Sequence, residues 1–462
     1  MTKTLQQGSR SYLLLIAGVG ALGGLLFGYD TAVTSGAIGF LQAHFALSAG
    51  LTGWAASSVL IGCMAGAVAG GPLSDRIGRK KVLIASAVLF AISGLLTAYA
   101  IVLNEYVAGR FLGGIAIGAV SVVSPLYIAE VSPGRVRGQL VTLYQLAIVS
   151  GILIVFFVNL LVQRHGSESW NETVGWRIMF GSLTVPAVLL FVLSLFIPES
   201  PRWLMMKGRT KAARVTLERV GGDEAAEQGI KEIEESLAEE RGTLAELFTP
   251  AFRRPLLTGV LLAILCQFSG INAIMYYATV IFDPTGKSPA GSFRETVLVG
   301  VVNLLFTFVA IWLIDRVGRR SLLIAGSAVQ VVALAAVGAA YHFHLAPIFL
   351  LLPILLFIAA FASAMGPIPW VIISEIFPTK IRGSAMATAT LVLWAADFVV
   401  AYTFPILKTS IGLTFTFWIY AFFSLLGLIM AWKLVVETKG RTLEQIEAGW
   451  RPQQIAAGVV EL

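Results

Sequence analysis

Amide side chains interrupt the apolar stretches of the sequence, among them Gln145, Gln267, Asn272 and Asn303. An amide both donates and accepts hydrogen bonds, so it suits a ligand whose hydroxyl groups do the same. Gln267 and Asn272 are near enough in sequence for their side chains to converge on one face of a helix. Polar groups are costly to bury in apolar segments. The amides therefore either bind a polar ligand or form hydrogen bonds between membrane helices.

Two charged residues also fall within or at the edge of apolar stretches. Asp30 lies near the end of the first stretch, and Arg110 lies near the start of the fourth. If successive stretches run in opposite directions, both side chains reach a similar depth. A buried charge costs several kcal/mol unless it is paired, so we expect Asp30 to contact Arg110. This contact is either a static ion pair or part of a working site.

Trp370 follows two prolines, Pro367 and Pro369. Each proline removes a backbone donor and disfavours a regular helix. A broken helix in a membrane protein lets unwound backbone line a cavity. A lone tryptophan in a membrane helix more often faces lipid, but the two prolines favour a place in a binding site. There its ring would pack against the apolar face of a ligand.

The composition shows which elements position these groups. The chain has 462 residues, of which 57% are hydrophobic and 13% charged, against about 25% charged in soluble domains. Stretches of about 18 or more apolar residues, each able to cross a hydrocarbon core of about 30 Å, recur along the sequence. They are too long for barrel strands, so we predict helices. The twelve predicted spans are 12–34, 51–73, 82–102, 105–128, 140–162, 174–197, 256–281, 296–314, 321–341, 347–374, 384–407 and 412–436.

The net charge of +7 is unevenly distributed between the predicted loops. Most Lys and Arg residues lie in the tails and in the loops on the side of the N-terminus, which predicts that both termini are cytoplasmic. No basic patch belongs to a soluble domain, so nothing supports nucleic-acid binding. We predict a multi-pass protein of the cell membrane with an uncleaved first helix. The opposite loops hold Arg164, Arg177, Lys287, Arg294 and Lys408.

Charged phrases recur in the two halves of the chain, which indicates a duplicated helical bundle. The phrase at 71–80 (GPLSDRIGRK) is echoed at 315–320 (DRVGRR), and that at 130–138 is echoed at 375–383. A long polar stretch between the halves predicts amphipathic helices at 209–220 and 225–240. Its acidic run is either a solvated face or a latch between the bundles. The predicted units are an N-terminal six-helix bundle (1–198), cytoplasmic linker helices (199–254), a C-terminal six-helix bundle (255–436) and a short cytoplasmic tail (437–462).

These phrases resemble the signatures of a known family. The pattern at 71–80 resembles that of the major facilitator superfamily, and four further motifs are similar to marks of its sugar porter family. The resemblance covers nearly the whole chain and is nearest to bacterial xylose– and glucose–proton symporters, with animal glucose transporters as more distant relatives. The four motifs are 198–204 (PESPRWL), 267–272 (QFSGIN), 366–370 (GPIPW) and 437–440 (ETKG).

The resemblance implies roles for particular residues. In proton-coupled members the acid at the position of Asp30 takes up the proton and the Arg at the position of Arg110 is its partner, whereas uniporters commonly have Asn in place of the acid. The implied sugar-binding residues are Phe27, Gln145, Gln267, Asn272, Asn303, Gly366 and Trp370. The phrases on the cytoplasmic side imply a gate that latches the inner face when the cavity faces outward. Its candidates are Asp75, Arg79, Glu130, Arg137, Asp315, Arg319, Glu375 and Arg382.

The chain departs from the family pattern at three positions. Cys266 replaces the first of two adjacent glutamines, Leu393 replaces an amide before Trp394, and Asp397 stands where a second amide is common. These changes leave the sugar unspecified, and Asp397 is either a second titratable group or a residue that faces water in the pore.

We therefore expect an all-α membrane protein that carries a monosaccharide and a proton by alternating access. The alternatives are a proton-independent sugar uniporter and, more remotely, a transporter-like sugar sensor. We find no nucleophile–base pair and no metal-ligand cluster, so we expect no enzyme activity, no metal and no cofactor. The expected partners are the sugar, the proton and the lipid bilayer, and we expect the protein to work as a monomer. The four histidines, His44, His165, His342 and His344, fall in or near the outer loops.

Overall fold

The computed structural model describes residues 8–238, 244–250, 252–283, 289–377 and 379–439. In these residues it has twelve helices that are long and apolar enough to cross a membrane, so the predicted helical membrane fold is confirmed. Each predicted stretch coincides with one spanning helix, and the largest difference is in the first, which was predicted to end at residue 34 and ends at His44. Spans 1 to 6 are Arg10–His44, Ala49–Ile77, Arg79–Tyr99, Leu103–Val131, Gly134–His165 and Glu168–Phe196. Spans 7 to 12 are Arg253–Phe282, Gly291–Ile314, Arg319–His342, Ile348–Ile376, Ile381–Ser410 and Gly412–Lys433.

The packing of the spans repeats between the halves. Span 1 packs on span 5 and span 7 on span 11, while span 3 packs on span 6 and span 9 on span 12. Between the halves, span 2 packs on span 11 and span 5 on span 8. Adding six to each span number exchanges these two interfaces, as a duplicated bundle with a pseudo-two-fold axis requires.

Small residues allow spans 2 and 4 to pack closely. Gly62 lies against the backbone of Phe111, and Gly114 lies against the backbone of Val59. A side chain at either glycine would force the two helices apart. In a membrane, where lipid is as apolar as a side chain, this close backbone packing is a main source of helix association.

Two spans in the second half are broken at their centres. Span 7 consists of Arg253–Phe268 and Ile271–Phe282, and the joint is Gly270, whose φ of 84° disfavours residues with a side chain. Span 10 has a π-helical turn at Phe361–Met365 before its final helix, Ile368–Ile376. The prolines of span 10 predicted its irregularity, whereas the break in span 7 was not predicted.

In its described residues, the polar segment between the halves forms three short α-helices, Pro201–Met206, Thr210–Gly221 and Asp223–Ala238, and a 3-10 helix at Leu244–Phe248. The last two α-helices match the predicted amphipathic helices, but Glu239 and Glu240 lie outside the described residues. The same holds for the predicted tail beyond Lys439.

The two halves are packed together at one face. Because the spans alternate in direction, Arg10 and Lys433 lie at the same face, here called the terminal face, and the opposite face is called the far face. Toward the far face, the Thr279 hydroxyl of span 7 donates a 2.5 Å hydrogen bond to the carbonyl oxygen of Ser35 in span 1. Gly53 of span 2 lies against the backbone of Tyr402 in span 11. The far end of the interface between the halves is therefore closed.

The contacts differ near the terminal face. Gly71 of span 2, Gly138 of span 5 and Gly383 of span 11 have no neighbouring atom where a side chain would extend. Near the far face, by contrast, Gly53 of span 2 lies against the backbone of span 11. At these glycines, close contact between the halves is therefore present at the far face and absent at the terminal face.

Candidate functional site

The break in span 7 brings two of the predicted amides into contact. Asn272 Nδ2 donates a 2.9 Å hydrogen bond to Gln267 Oε1 across the joint at Gly270. The ring of Tyr420 covers Gly270, so there is no room for a larger residue at the joint. Gln267 is buried and Asn272 is half-buried. The pair keeps unused donor and acceptor positions that can serve a ligand with hydroxyl groups.

Aromatic side chains lie at the interface between the halves. The rings of Phe27 in span 1 and Trp394 in span 11 have centroids 5.5 Å apart. Trp394 Nε1 is buried without a hydrogen-bond acceptor among the described residues. Gly366, at the irregular part of span 10, and Trp370, in the helix that follows it, are half-buried. Phe27 was predicted as a wall of the site, whereas the contact with Trp394 was not foreseen.

The remaining predicted amides are placed separately. Gln145 in span 5 is half-buried and Asn303 in span 8 is buried. In the described residues, no hydrogen bond joins either side chain to the Gln267–Asn272 pair. The structure therefore brings together two of the four amides directly and leaves the other two as separate polar groups.

The predicted contact between Asp30 and Arg110 is confirmed. Arg110 Nη1 donates to Asp30 Oδ1, and Nη2 donates to the carbonyl oxygen of Asp30 at 3.2 Å. Both side chains are at most 1% exposed, and the guanidinium also lies 5.2 Å from the ring centre of Phe180. Asp30 Oδ2 has no hydrogen-bond partner in the described part of the chain. A buried pair of this kind is costly to break by removing one member.

Asp397 lies beside the amide pair. It is fully buried in span 11 and accepts a 3.2 Å hydrogen bond from the hydroxyl of Tyr276 in span 7. Asn272 is close to the same carboxyl. The role of Tyr276 was missed in the sequence, where it reads as one of two apolar aromatic residues after the QFSGIN motif.

A charged cluster holds the terminal ends of spans 2, 3 and 4 together. Arg79, 2% exposed, forms ion pairs of 3.0 Å with Asp75 and 2.9 Å with Glu130. The Ser200 hydroxyl donates to Glu130, and Glu199 accepts the backbone N–H groups of Arg79 and Lys80. A carboxylate at a helix N-terminus is favourable because it receives free N–H groups there.

An equivalent cluster occupies the second half. Arg319 pairs with Glu375 at 3.2 Å, and the Thr438 hydroxyl donates to the same carboxylate. Burial alone would raise the pKa of Glu437, but backbone N–H groups of Lys439, Arg319 and Arg320 outweigh it and hold that pKa below its ordinary value. Glu199 and Glu437 were absent from the predicted gate, although both lie in motifs that the sequence analysis singled out, at 198–204 and 437–440. The side chain of Asp315 lies outside the described residues.

Two arginines of the predicted gate are held more loosely. Arg137 at the start of span 5 donates to the carbonyl oxygen of Ala129 and lies 4.0 Å from Glu232 of the linker. Arg382 at the start of span 11 makes a 3.4 Å contact with the carbonyl oxygen of Phe377. Both therefore have capacity for stronger partners in another arrangement of the halves.

Comparison with known proteins places the chain among sugar transporters. Residues 16–450 match the model of the family described as "Sugar (and other) transporter". The chain is 42% identical over 444 residues to the arabinose-proton symporter of Bacillus subtilis (strain 168), covering 96% of each protein. It is 40% identical over 479 residues to the D-xylose-proton symporter of Escherichia coli (strain K12), covering 97% of each. The fold is similar to the partially occluded inward-open conformation of the xylose transporter XylE from E. coli, with a TM-score of 0.85 at 38% identity, covering 94% of this chain and 100% of the other.

Proposed function

The chain belongs to the sugar (and other) transporter family of the major facilitator superfamily, and on that premise we propose that it carries a monosaccharide together with a proton. The relatives named as arabinose- and xylose-proton symporters support this proposal. The sugar would pass unchanged, so the protein would act as a transporter and not as an enzyme.

The observation that carries the proposal is the position of the buried acid. Asp30 lies one helical turn from Phe27 on span 1. Asp30 pairs with Arg110 of its own half, and Phe27 contacts Trp394 of the other half. A change in the ion pair can therefore affect the interface between the halves through one turn of span 1. This connection is what coupling a proton to alternating access requires.

We propose that the sugar lies between the halves, held by the amides Gln145, Gln267, Asn272 and Asn303 and by Phe27, Gly366 and Trp370. The broken centres of spans 7 and 10 support this location because backbone irregularity in membrane helices is tolerated where it lines a cavity. The halves would rock about this site, with the closed far face and the open terminal face as one end state.

The uneven distribution of basic residues supports a cytoplasmic terminal face, with both termini inside the cell. In this orientation, the close contacts at the far face and the similarity to an inward-open relative support an inward-facing state. We further propose that a single chain in the bilayer is the working unit, because both halves of the site come from one chain.

The proposed function is tested in proteoliposomes. A counterflow panel with arabinose, D-xylose and D-glucose should identify at least one transported sugar. When that sugar is added outside the vesicles, its uptake together with protons should make the outside medium alkaline. Counterflow without alkalinisation would indicate uniport, and absence of counterflow for every pentose and hexose would contradict sugar transport.

We propose that the charged clusters at the terminal face form the gate. Some of their residues stabilise one half, and others contact the opposite half. Asp75, Arg79, Glu130, Arg319 and Glu375 hold each half rigid, since their contacts lie within one half. Arg137 and Arg382 would reach the opposite half when the terminal face closes. Their loose contacts in the open state support this assignment.

Removing the two loosely held arginines should shift the resting population toward the open terminal face. Each exposed ion pair contributes about 0–1 kcal/mol, so Arg137→Ala or Arg382→Ala alone should shift the population up to about fivefold. The shift is measured by labelling single cysteines at Thr142, in the terminal half of span 5, and at Ser35, at the far interface. Labelling should rise at Thr142→Cys and fall at Ser35→Cys.

The matched control is Lys211→Ala, which removes an exposed cation of the linker. It should change neither labelling rate. Unchanged labelling in both arginine variants, with transport intact, would show that these residues serve topology and folding and not gating.

A further inference from the structure

Asp397 is a buried carboxyl with an incomplete set of hydrogen bonds. Its side chain is 0% exposed. Tyr276 donates to Oδ2 at 3.2 Å, whereas Oδ1 has no hydrogen-bond partner in the described part of the chain. Asn272 lies within hydrogen-bonding reach of this carboxyl, and one of the two hydrogens on its Nδ2 goes to Gln267. One oxygen of Asp397 is thus free beside the two amides of the proposed sugar site.

In the described residues, no cationic side chain contacts Asp397. The titratable groups within electrostatic reach of it are Cys63 from span 2 and Cys266 and Tyr276 from span 7, and spans 10 and 12 add none among the described residues. Arg110 is within electrostatic reach of Tyr276, but it already pairs with Asp30. A buried carboxylate without a cation is strongly disfavoured, and the group takes up a proton instead.

Cys63 of span 2 lies within electrostatic reach of both buried acids, Asp30 and Asp397. The acids therefore belong to one neighbourhood in the membrane interior but have different partners. Asp30 has a guanidinium, and Asp397 has a phenol and an amide. Two acids placed in this way respond differently to protons.

We propose that Asp397 is a second proton-binding residue of this protein and contacts the sugar in its protonated form. The protonated carboxyl donates through one oxygen and accepts through the other, so it matches a sugar hydroxyl as an amide does. The sugar contact in this proposal rests on the proposed function of sugar transport. Proton binding by Asp397 does not depend on it. It makes Asp397, besides Asp30, a source of pH dependence in sugar binding.

The proton is tested without any sugar. Infrared difference spectra of the purified full-length protein at neutral pH should contain the carbonyl stretch of a protonated carboxyl, and Asp397→Asn should remove it. Tyr276→Phe, which keeps the carboxyl and removes its donor, should retain the band. If Asp397→Asn does not fold, the band is compared in folded Asp30→Asn and Tyr276→Phe. Its retention in both variants would show that the protonated carboxyl is not Asp30. A wild-type spectrum without such a band at neutral pH would overturn the proposal.

The sugar contact is tested by the affinity for arabinose, D-xylose and D-glucose between acidic and alkaline pH, in the absence of a proton gradient. Wild type and Asp30→Asn should both lose affinity as the pH rises, by up to about tenfold per pH unit once Asp397 deprotonates. The double variant Asp30→Asn/Asp397→Asn should have no pH dependence over the same range.

The outcomes separate this proposal from the proposed function. If Asp30→Asn alone abolishes the pH dependence, Asp397 has no role in binding, although sugar transport stands. If none of the sugars binds at any pH, sugar transport and the sugar contact both fail, whereas the infrared band still decides whether Asp397 carries a proton.

Discussion

Asp30→Asn should abolish the accumulation of sugar against its gradient, while exchange of sugar across the membrane continues. The amide keeps the shape of the side chain and can still accept a hydrogen bond from Arg110, but it cannot take up or release a proton. The native pair is almost completely buried, and Asp397, which contacts no guanidinium in the described residues, does not take the place of Asp30 beside Arg110. Accumulation should therefore fall from full to none.

The measurement is uptake of labelled sugar into proteoliposomes with an imposed proton gradient, compared with counterflow without a gradient. Glu168→Gln is the control, because it neutralises an exposed acid at the far face and leaves the interior unchanged. It should accumulate sugar as the wild type does. An Asp30→Asn protein that still concentrates sugar would show that the proton binds elsewhere.

Gln267→Ala should have the second largest effect, a loss of sugar affinity. The substitution removes one ligand of the proposed site and also leaves Asn272 Nδ2 without its acceptor. An unpaired buried polar group costs about 1–3 kcal/mol, which corresponds to roughly fivefold to 150-fold in affinity. Titration of the purified protein with the transported sugar measures the change.

Gln330→Ala is the matched control for this prediction. Gln330 is a fully buried amide of span 9 whose side-chain atoms form no hydrogen bond in the described residues. Its removal should leave sugar affinity unchanged. Trp370→Ala provides an independent test, since it removes the proposed stacking ring. Native affinity in both Gln267→Ala and Trp370→Ala would exclude the proposed site.

Much of the architecture was predictable because it depends on local sequence. Each span must satisfy its own backbone hydrogen bonds in lipid, so its length and apolar character are present in a continuous segment. The contact between Asp30 and Arg110 could also be predicted, since two opposite charges at one depth of an apolar bundle have few other partners. The recurring charged phrases marked both clusters at the terminal face before any contact was known.

Other features depend on contacts between residues that are distant in sequence, so they could not be predicted before the folded structure was available. The break in span 7 at Gly270, for example, packs against the ring of Tyr420 in span 12. The partners of Glu199 and Glu437 lie on helices more than one span away. The closed far face depends on backbone contacts, such as that between Gly53 and Tyr402. No pattern of side chains in the sequence predicts contacts of this kind.

Asp397 shows the division most clearly. The sequence alone identified an acid in an apolar span but left open whether it faces water or binds protons. Its burial, its hydrogen bond from Tyr276 and the absence of a contacting cation among the described residues depend on spans that are distant in sequence, such as spans 7 and 11. The sequence by itself determined the spans, the repeat and the charged pair, because lipid constrains each segment separately. The environment of each polar group was decided by the tertiary structure, because it depends on which helices surround that group.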